Sequence, residues 1–166
     1  AAIDNNHRCT GTVNNWFKRG YDHYADPGIK RQIHFLATAE DVNKLAIQWL
    51  KKHHKEKFFL FLHYWDPHFP YVPPQPWDRK YTQNVEAQNN QQDLKSVMRE
   101  PLYSWFHKWS KGIHNPEYVR GLYDGEISYL DFHIGQLTEQ LDKFGLLDNS
   151  LIVLVGDHGE SLGEHN

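Results

Sequence analysis

Two short, continuous apolar runs limit what this chain can fold into. Phe58–Tyr64 reads FFLFLHY and Leu151–Val155 reads LIVLV. Neither alternates apolar with polar residues, so each needs cover on both faces, as strands do in a parallel sheet flanked by helices. Both fall far short of the ~20 apolar residues that cross a bilayer, and no other stretch approaches that length, so no membrane span is expected. Ala1–Asp4 reads as the tail of a third strand.

Two helices are expected between and after these runs. Val42, Leu45, Ala46, Trp49 and Leu50 recur at helical spacing, with Thr38 as N-cap and Asp41 three residues on. The basic stretch Lys51–Lys57 suits the end of that helix, where the dipole favours cations. Its His53-His54 pair reads as a solvated face. The second helix opens with Asn115 as cap and Pro116 at the first position. It carries Val119, Tyr123, Ile127, Leu130, Ile134, Leu137, Leu141 and Phe144 as its apolar stripe, and Gly145 stands where a left-handed terminating residue belongs. The order strand, helix, strand, long loop, helix, strand predicts an α/β fold with a mostly parallel sheet flanked by helices and right-handed crossovers. The connection across about 72–115 is long for a compact domain, which marks it as a variable loop insertion.

Composition narrows the function. With 18 Lys and Arg against 21 Asp and Glu, the formal charge is −3 over 166 residues. That balance lacks the basic excess of a nucleic-acid binder. A lone Cys9 excludes an internal disulfide, and no CxxC zinc pattern is present. The 12 histidines are the unusual entry, since imidazole is the side chain most used for metals and proton transfer near neutral pH.

Both apolar runs lead into polar clusters. The first continues as His63-Tyr64-Trp65-Asp66-Pro67-His68-Phe69-Pro70, the second as Gly156-Asp157-His158-Gly159-Glu160. Ligands of open parallel sheets bind at the carboxyl ends of strands, which is where both clusters fall. Asp157 and His158 are a carboxylate and an imidazole side by side between glycines, a pair able to hold a divalent cation with help from further ligands. The plainer reading of each cluster is a turn carboxylate beside a surface histidine, and a histidine packed among prolines.

Taken together, FFLFLHYWDPHFPYVPP (Phe58 to Pro74), the run from Tyr123 to His165 containing LIVLVGDHGESLGEH, and Arg19-Gly20-Tyr21-Asp22-His23 resemble the sulfatase family of the alkaline-phosphatase superfamily. The resemblance fails mainly between about Trp77 and Ile113. It implies that residues 1–166 are an incomplete part of one sulfatase-like catalytic domain. It implies metal-dependent hydrolysis of small-molecule or glycan sulfate esters, with Asp157 and His158 as metal ligands and His68 at the transferred group. It also implies a divalent cation, Ca²⁺ or Mn²⁺, and a formylglycine nucleophile. The family's nucleophile pattern C/S-x-P-x-R is matched neither by Cys9, which is followed by Thr-Gly-Thr-Val, nor by any serine. The first pair of metal carboxylates and a later lysine are likewise not found. This stretch by itself is therefore expected not to turn over substrate, and the formylglycine is expected in an N-terminal part. His165 is read either as a substrate contact or as a surface residue.

Two other functions fit the same residues. One is phosphonate monoester or phosphodiester hydrolysis on the same scaffold. The other is a non-catalytic carbohydrate-binding fragment, with Trp77, Tyr81, Trp105 and Trp109 stacking on sugar rings rather than packing the long loop.

Overall fold

The computed structural model describes residues 1–4, 18–27, 37–87 and 112–162. Among these, three strands form one parallel sheet in the order β2-β1-β3: β1 (Ala2–Asp4), β2 (Tyr24–Ala25) and β3 (Phe61–His63). Two helices accompany them, α1 (Ala39–His53) and α2 (Pro116–Lys143). This is the α/β arrangement that the apolar runs predict. The two-residue β2 was not anticipated, because it is too short to carry a periodic signal.

The chain divides into two compact units, one of Ala1–Asp66 with Leu130–Leu151 and one of Pro67–Tyr129 with Ile152–Asn166. In the first, β1 is the centre. Ala2, Ile3 and Asp4 are all fully buried, and β1 pairs with Tyr24–Ala25 on one side and with Phe61–His63 on the other. Ile3 joins Val42 and Ala46 of α1 in a core that Leu45, Leu60, Leu62, Tyr64 and Leu137 surround. Leu50, also of α1, is fully buried. Each large side chain removed from water here contributes about 1.5–3 kcal/mol.

The helix ends follow local chemistry. The Asp41 carboxylate accepts hydrogen bonds from the Thr38 backbone N–H and hydroxyl, which fixes the start of α1. Asn115 accepts from the Glu117 N–H at the start of α2. At its end Gly145 adopts φ +68°, its N–H reaches Asp142 O, and the Leu146 N–H reaches Leu141 O, the paired bonds that close a helix on a left-handed residue. His53 and His54, read as a solvated face, are instead half-buried. His53 stacks on Trp49 and His54 on Phe144, because an imidazole at a helix exit covers apolar surface as readily as it meets water.

The second unit is built on Phe69, Tyr71, Val119, Leu122 and Leu162, with Ile113, Tyr118 and Tyr123 packed around them. Here the structure departs from expectation. Residues 151–155 form no strand, and Leu151, Ile152, Val153, Leu154 and Val155 are 55–91% exposed. A strand draws its stability from a neighbour's ladder and from cover on its faces, and no described strand lies beside this run. The first run is also shorter as a strand than FFLFLHY suggests. Only Phe61–His63 pair with β1, and Phe59 is exposed. No described helix is long and apolar enough to cross a membrane.

Candidate functional site

The carboxyl ends of β1 and β3 meet at one carboxylate, which the first residue of β2 also reaches. Asp4 closes β1 and sits opposite His63 of β3 in the register. Its Oδ1 is 2.7 Å from His63 Nδ1, and its Oδ2 accepts a 2.6 Å hydrogen bond from the Tyr24 hydroxyl of β2. A fully buried carboxylate is costly without such partners. With them, it ties all three strands at the edge where ligands of parallel sheets bind. Sequence reasoning named His63 only as part of a polar strand end and passed over Asp4. The available signal was an apolar strand closing on one acid while another strand closes on a histidine.

His68 follows β3 by five residues, in the second unit. Its Nδ1 lies 2.6 Å from the Phe69 carbonyl, an acceptor, so Nδ1 carries the proton of that bond. Phe69 and Tyr71 are buried just beyond it, and the Val72 N–H donates to the buried Glu126 carboxylate, which fastens this proline-rich segment to α2.

Asp157 and His158 lie on the exposed loop after the second apolar run. The Asp157 Oδ1 accepts from the His158 N–H at 2.9 Å, and the His158 Nδ1 bonds to Gly159 O at 2.8 Å. The second bond occupies Nδ1, and Nε2 lies 3.7 Å from Asp157 Oδ2. Two oxygen and nitrogen donors at that spacing are chemically suited to a divalent metal, which would need further ligands. The hydrogen bond to Gly159, with the Asp157 carboxylate beside it, holds the imidazole above its ordinary pKa. A proton therefore competes for Nε2 more strongly than at a bare histidine. Four residues after His158, Leu162 is buried in the second core and its carbonyl accepts from Arg120 Nε. Glu160 bonds the Tyr71 hydroxyl, and burial together with that carboxylate pushes the Tyr71 phenol well above its usual range.

The structure thus brings Asp157 and His158 together, with His68 in the same compact unit. No group of three or more metal-ligating side chains assembles among the described residues. Cys9, His165, Trp105 and Trp109 lie outside the described residues.

Comparison with known proteins completes the picture. The family model described as Sulfatase matches residues 3–166. The chain is 30% identical over 138 residues to a multifunctional alkaline phosphatase superfamily protein, PehA, of Trinickia caryophylli, covering 73% of this chain and 27% of that protein. An arylsulfatase of Clostridium perfringens is 26% identical over 92% of this chain and 31% of its own length. A choline-sulfatase of Rhizobium meliloti is 27% identical over 95% of this chain and 33% of its own. The chain thus spans about a third or less of the length of these curated relatives. No solved structure matches it significantly.

Proposed function

As this chain belongs to the sulfatase family, we propose that it serves the hydrolysis of sulfate esters, small-molecule or glycan, as part of one catalytic domain whose variable segment is about 72–115. The observation that carries this reading is a family match running through both candidate clusters, from residue 3 to residue 166. Asp157 and His158 would hold a divalent cation, Ca²⁺ or Mn²⁺, the imidazole favouring Mn²⁺. Bound there, such an ion supplies positive charge to the ester's non-bridging oxygens as charge builds on them. His68 does the proton work. Its Nδ1–H, fixed on the Phe69 carbonyl, orients the ring, and the protonated Nε2 donates to the leaving oxygen as the S–O bond breaks. The formylglycine that the family implies is assigned outside residues 1–166, since no Cys or Ser here stands in C/S-x-P-x-R.

A second reading, phosphonate monoester or phosphodiester hydrolysis, is favoured by the similarity to the multifunctional alkaline phosphatase superfamily protein. Rates on 4-nitrophenyl sulfate, phenyl phosphonate esters and bis(4-nitrophenyl) phosphate, measured on a protein that carries the formylglycine together with residues 1–166, separate the two. Sulfate is expected to be turned over fastest, and a preference for either phosphorus ester transfers the function to the second reading. His68→Ala is expected to lose more rate on alkyl sulfates, with poor leaving groups, than on nitrophenyl sulfate. Equal losses would remove the proton-donor role.

A further inference from the structure

The second unit carries a rigid aromatic and cationic platform that the proposed reaction does not use. The segment from Pro73 to Thr82 lies on α2 at two glycines one helical turn apart. A Cβ on Gly125 would stand 2.7 Å from Trp77 O and 3.0 Å from Pro73 Cγ, and one on Gly121 would stand 2.9 Å from both Tyr81 O and Thr82 Cγ2. Only glycines allow the loop backbone this close to the helix. The segment is also closed on itself. The Trp77 N–H reaches Pro74 O, the Lys80 N–H reaches Trp77 O, and the Thr82 hydroxyl reaches Asp78 O. The Trp77 ring meets Tyr129 of α2 edge-on at 5.1 Å.

Held by this base, Tyr81 presents its ring to solvent at 44% exposure. Its hydroxyl is 3.0 Å from Ser128 Oγ, and Lys80 Nζ donates to the same oxygen at 3.1 Å while standing 5.2 Å from the Tyr81 ring centroid. Three polar groups therefore converge on one point beside a fixed, exposed aromatic face. The same contacts, from Ser128 and then Lys80, hold the Tyr81 phenol below its usual range. Arg79 adds a second exposed cation, and Asp78 is its acidic neighbour at 4.0 Å. Such a surface suits a ring with an apolar face and an anionic substituent, the ring lying on Tyr81 and the anion at Lys80 and the two hydroxyls.

We propose that Tyr81, Lys80 and Ser128 form a binding subsite for a sulfated saccharide, the pyranose ring stacking on Tyr81 and a sulfate ester meeting Lys80. Sulfate, rather than another anion, rests on the activity proposed above. The subsite gives Tyr81 and Lys80 of the variable segment, with Ser128 of α2, a role in choosing the substrate.

The test is equilibrium binding of a chondroitin sulfate tetrasaccharide to the protein in chelator, so that no turnover occurs, with its desulfated counterpart in parallel. Tyr81→Ala is expected to weaken binding of the sulfated sugar about tenfold. Tyr81→Phe is expected to retain most of it, and Lys80→Gln to remove the preference for the sulfated form. Unchanged circular dichroism excludes misfolding as the cause. Binding by Tyr81→Ala and Lys80→Gln equal to that of the unsubstituted protein would overturn the subsite, as would equal affinity for the desulfated sugar. Absence of sulfate ester hydrolysis by an unsubstituted protein that carries the formylglycine together with residues 1–166, assayed separately with metal, would remove the proposed activity and with it the assignment of sulfate. The effect of Tyr81→Ala on binding is read independently of that outcome.

Discussion

Two apolar runs of similar composition meet opposite fates in this chain. Phe61–His63, within FFLFLHY, is laddered to β1 and ends in a histidine bonded to a fully buried aspartate. LIVLV, at 151–155, has no ladder among the described residues and stands 55–91% exposed, yet it leads directly to the Asp157-His158 pair. The difference lies in neighbours rather than in the runs themselves. An apolar run states a need for cover, and a strand exists only where another strand and a helix meet that need. The candidate functional groups differ in the same way, since His63 is clamped from behind whereas Asp157 and His158 support chiefly one another.

The contrast is sharpest in stability. Ile3, fully buried at the centre of the sheet, is expected to cost about 2–5 kcal/mol when cut to alanine, read by chemical denaturation. A loss below 1 kcal/mol would mean that the three-strand core is not packed as described. His63→Ala is expected to cost about 3 kcal/mol, because it leaves Asp4 Oδ1 inside the sheet without its imidazole partner. A neutral outcome would reduce the clasp to an incidental contact. Asn115→Ala removes the cap of α2 and should cost about 1 kcal/mol, with Asn115→Asp retaining most of it.

A smaller effect concerns pH. His133 on α2 is 5% exposed, and desolvation holds its pKa below the ordinary value of 6.5, with Glu40 and Asp41 of α1 opposing that shift and Lys44 adding to it. Between the lowered folded value and 6.5 the unfolded chain binds more protons, so stability falls as pH drops through that window. Melting curves from pH 7 to 5 should decline, and His133→Gln should flatten the decline. An identical slope in both proteins would assign it to other groups. Smallest of all, Val153→Ala is expected to change stability by no more than about 0.5 kcal/mol, since its side chain is 70% exposed. A loss of 2 kcal/mol there would erase the contrast, placing LIVLV in a covered strand like β3.

What the sequence revealed follows the range over which each signal acts. Thr38 with Asp41, Asn115 with Pro116, and Gly145 define both helices because caps act within a few residues. Parallel pairing was legible as a class from continuous apolar runs, yet the partners were not. The ladder joins residue 2 to residues 24 and 61, a choice made by tertiary contacts. The closeness of the Asp157 and His158 side chains was legible because the two residues are adjacent in the chain. The clasp of Asp4, Tyr24 and His63 was not, because its members are 20 and 59 residues apart and none forms a motif alone. Tyr81 was singled out as an aromatic, but its convergence with Ser128 needed α2 to bring residue 128 back to it.

The central claim is that Asp157 and His158 hold the cation with which sulfate esters are hydrolysed. It is tested most directly by measuring bound Ca²⁺ and Mn²⁺ by elemental mass spectrometry, alongside hydrolysis of 4-nitrophenyl sulfate, in a protein that carries the formylglycine together with residues 1–166 and in its Asp157→Ala variant. Loss of the bound cation together with loss of hydrolysis in the variant is the predicted result. Equal metal content and an unchanged rate in the two proteins would contradict it.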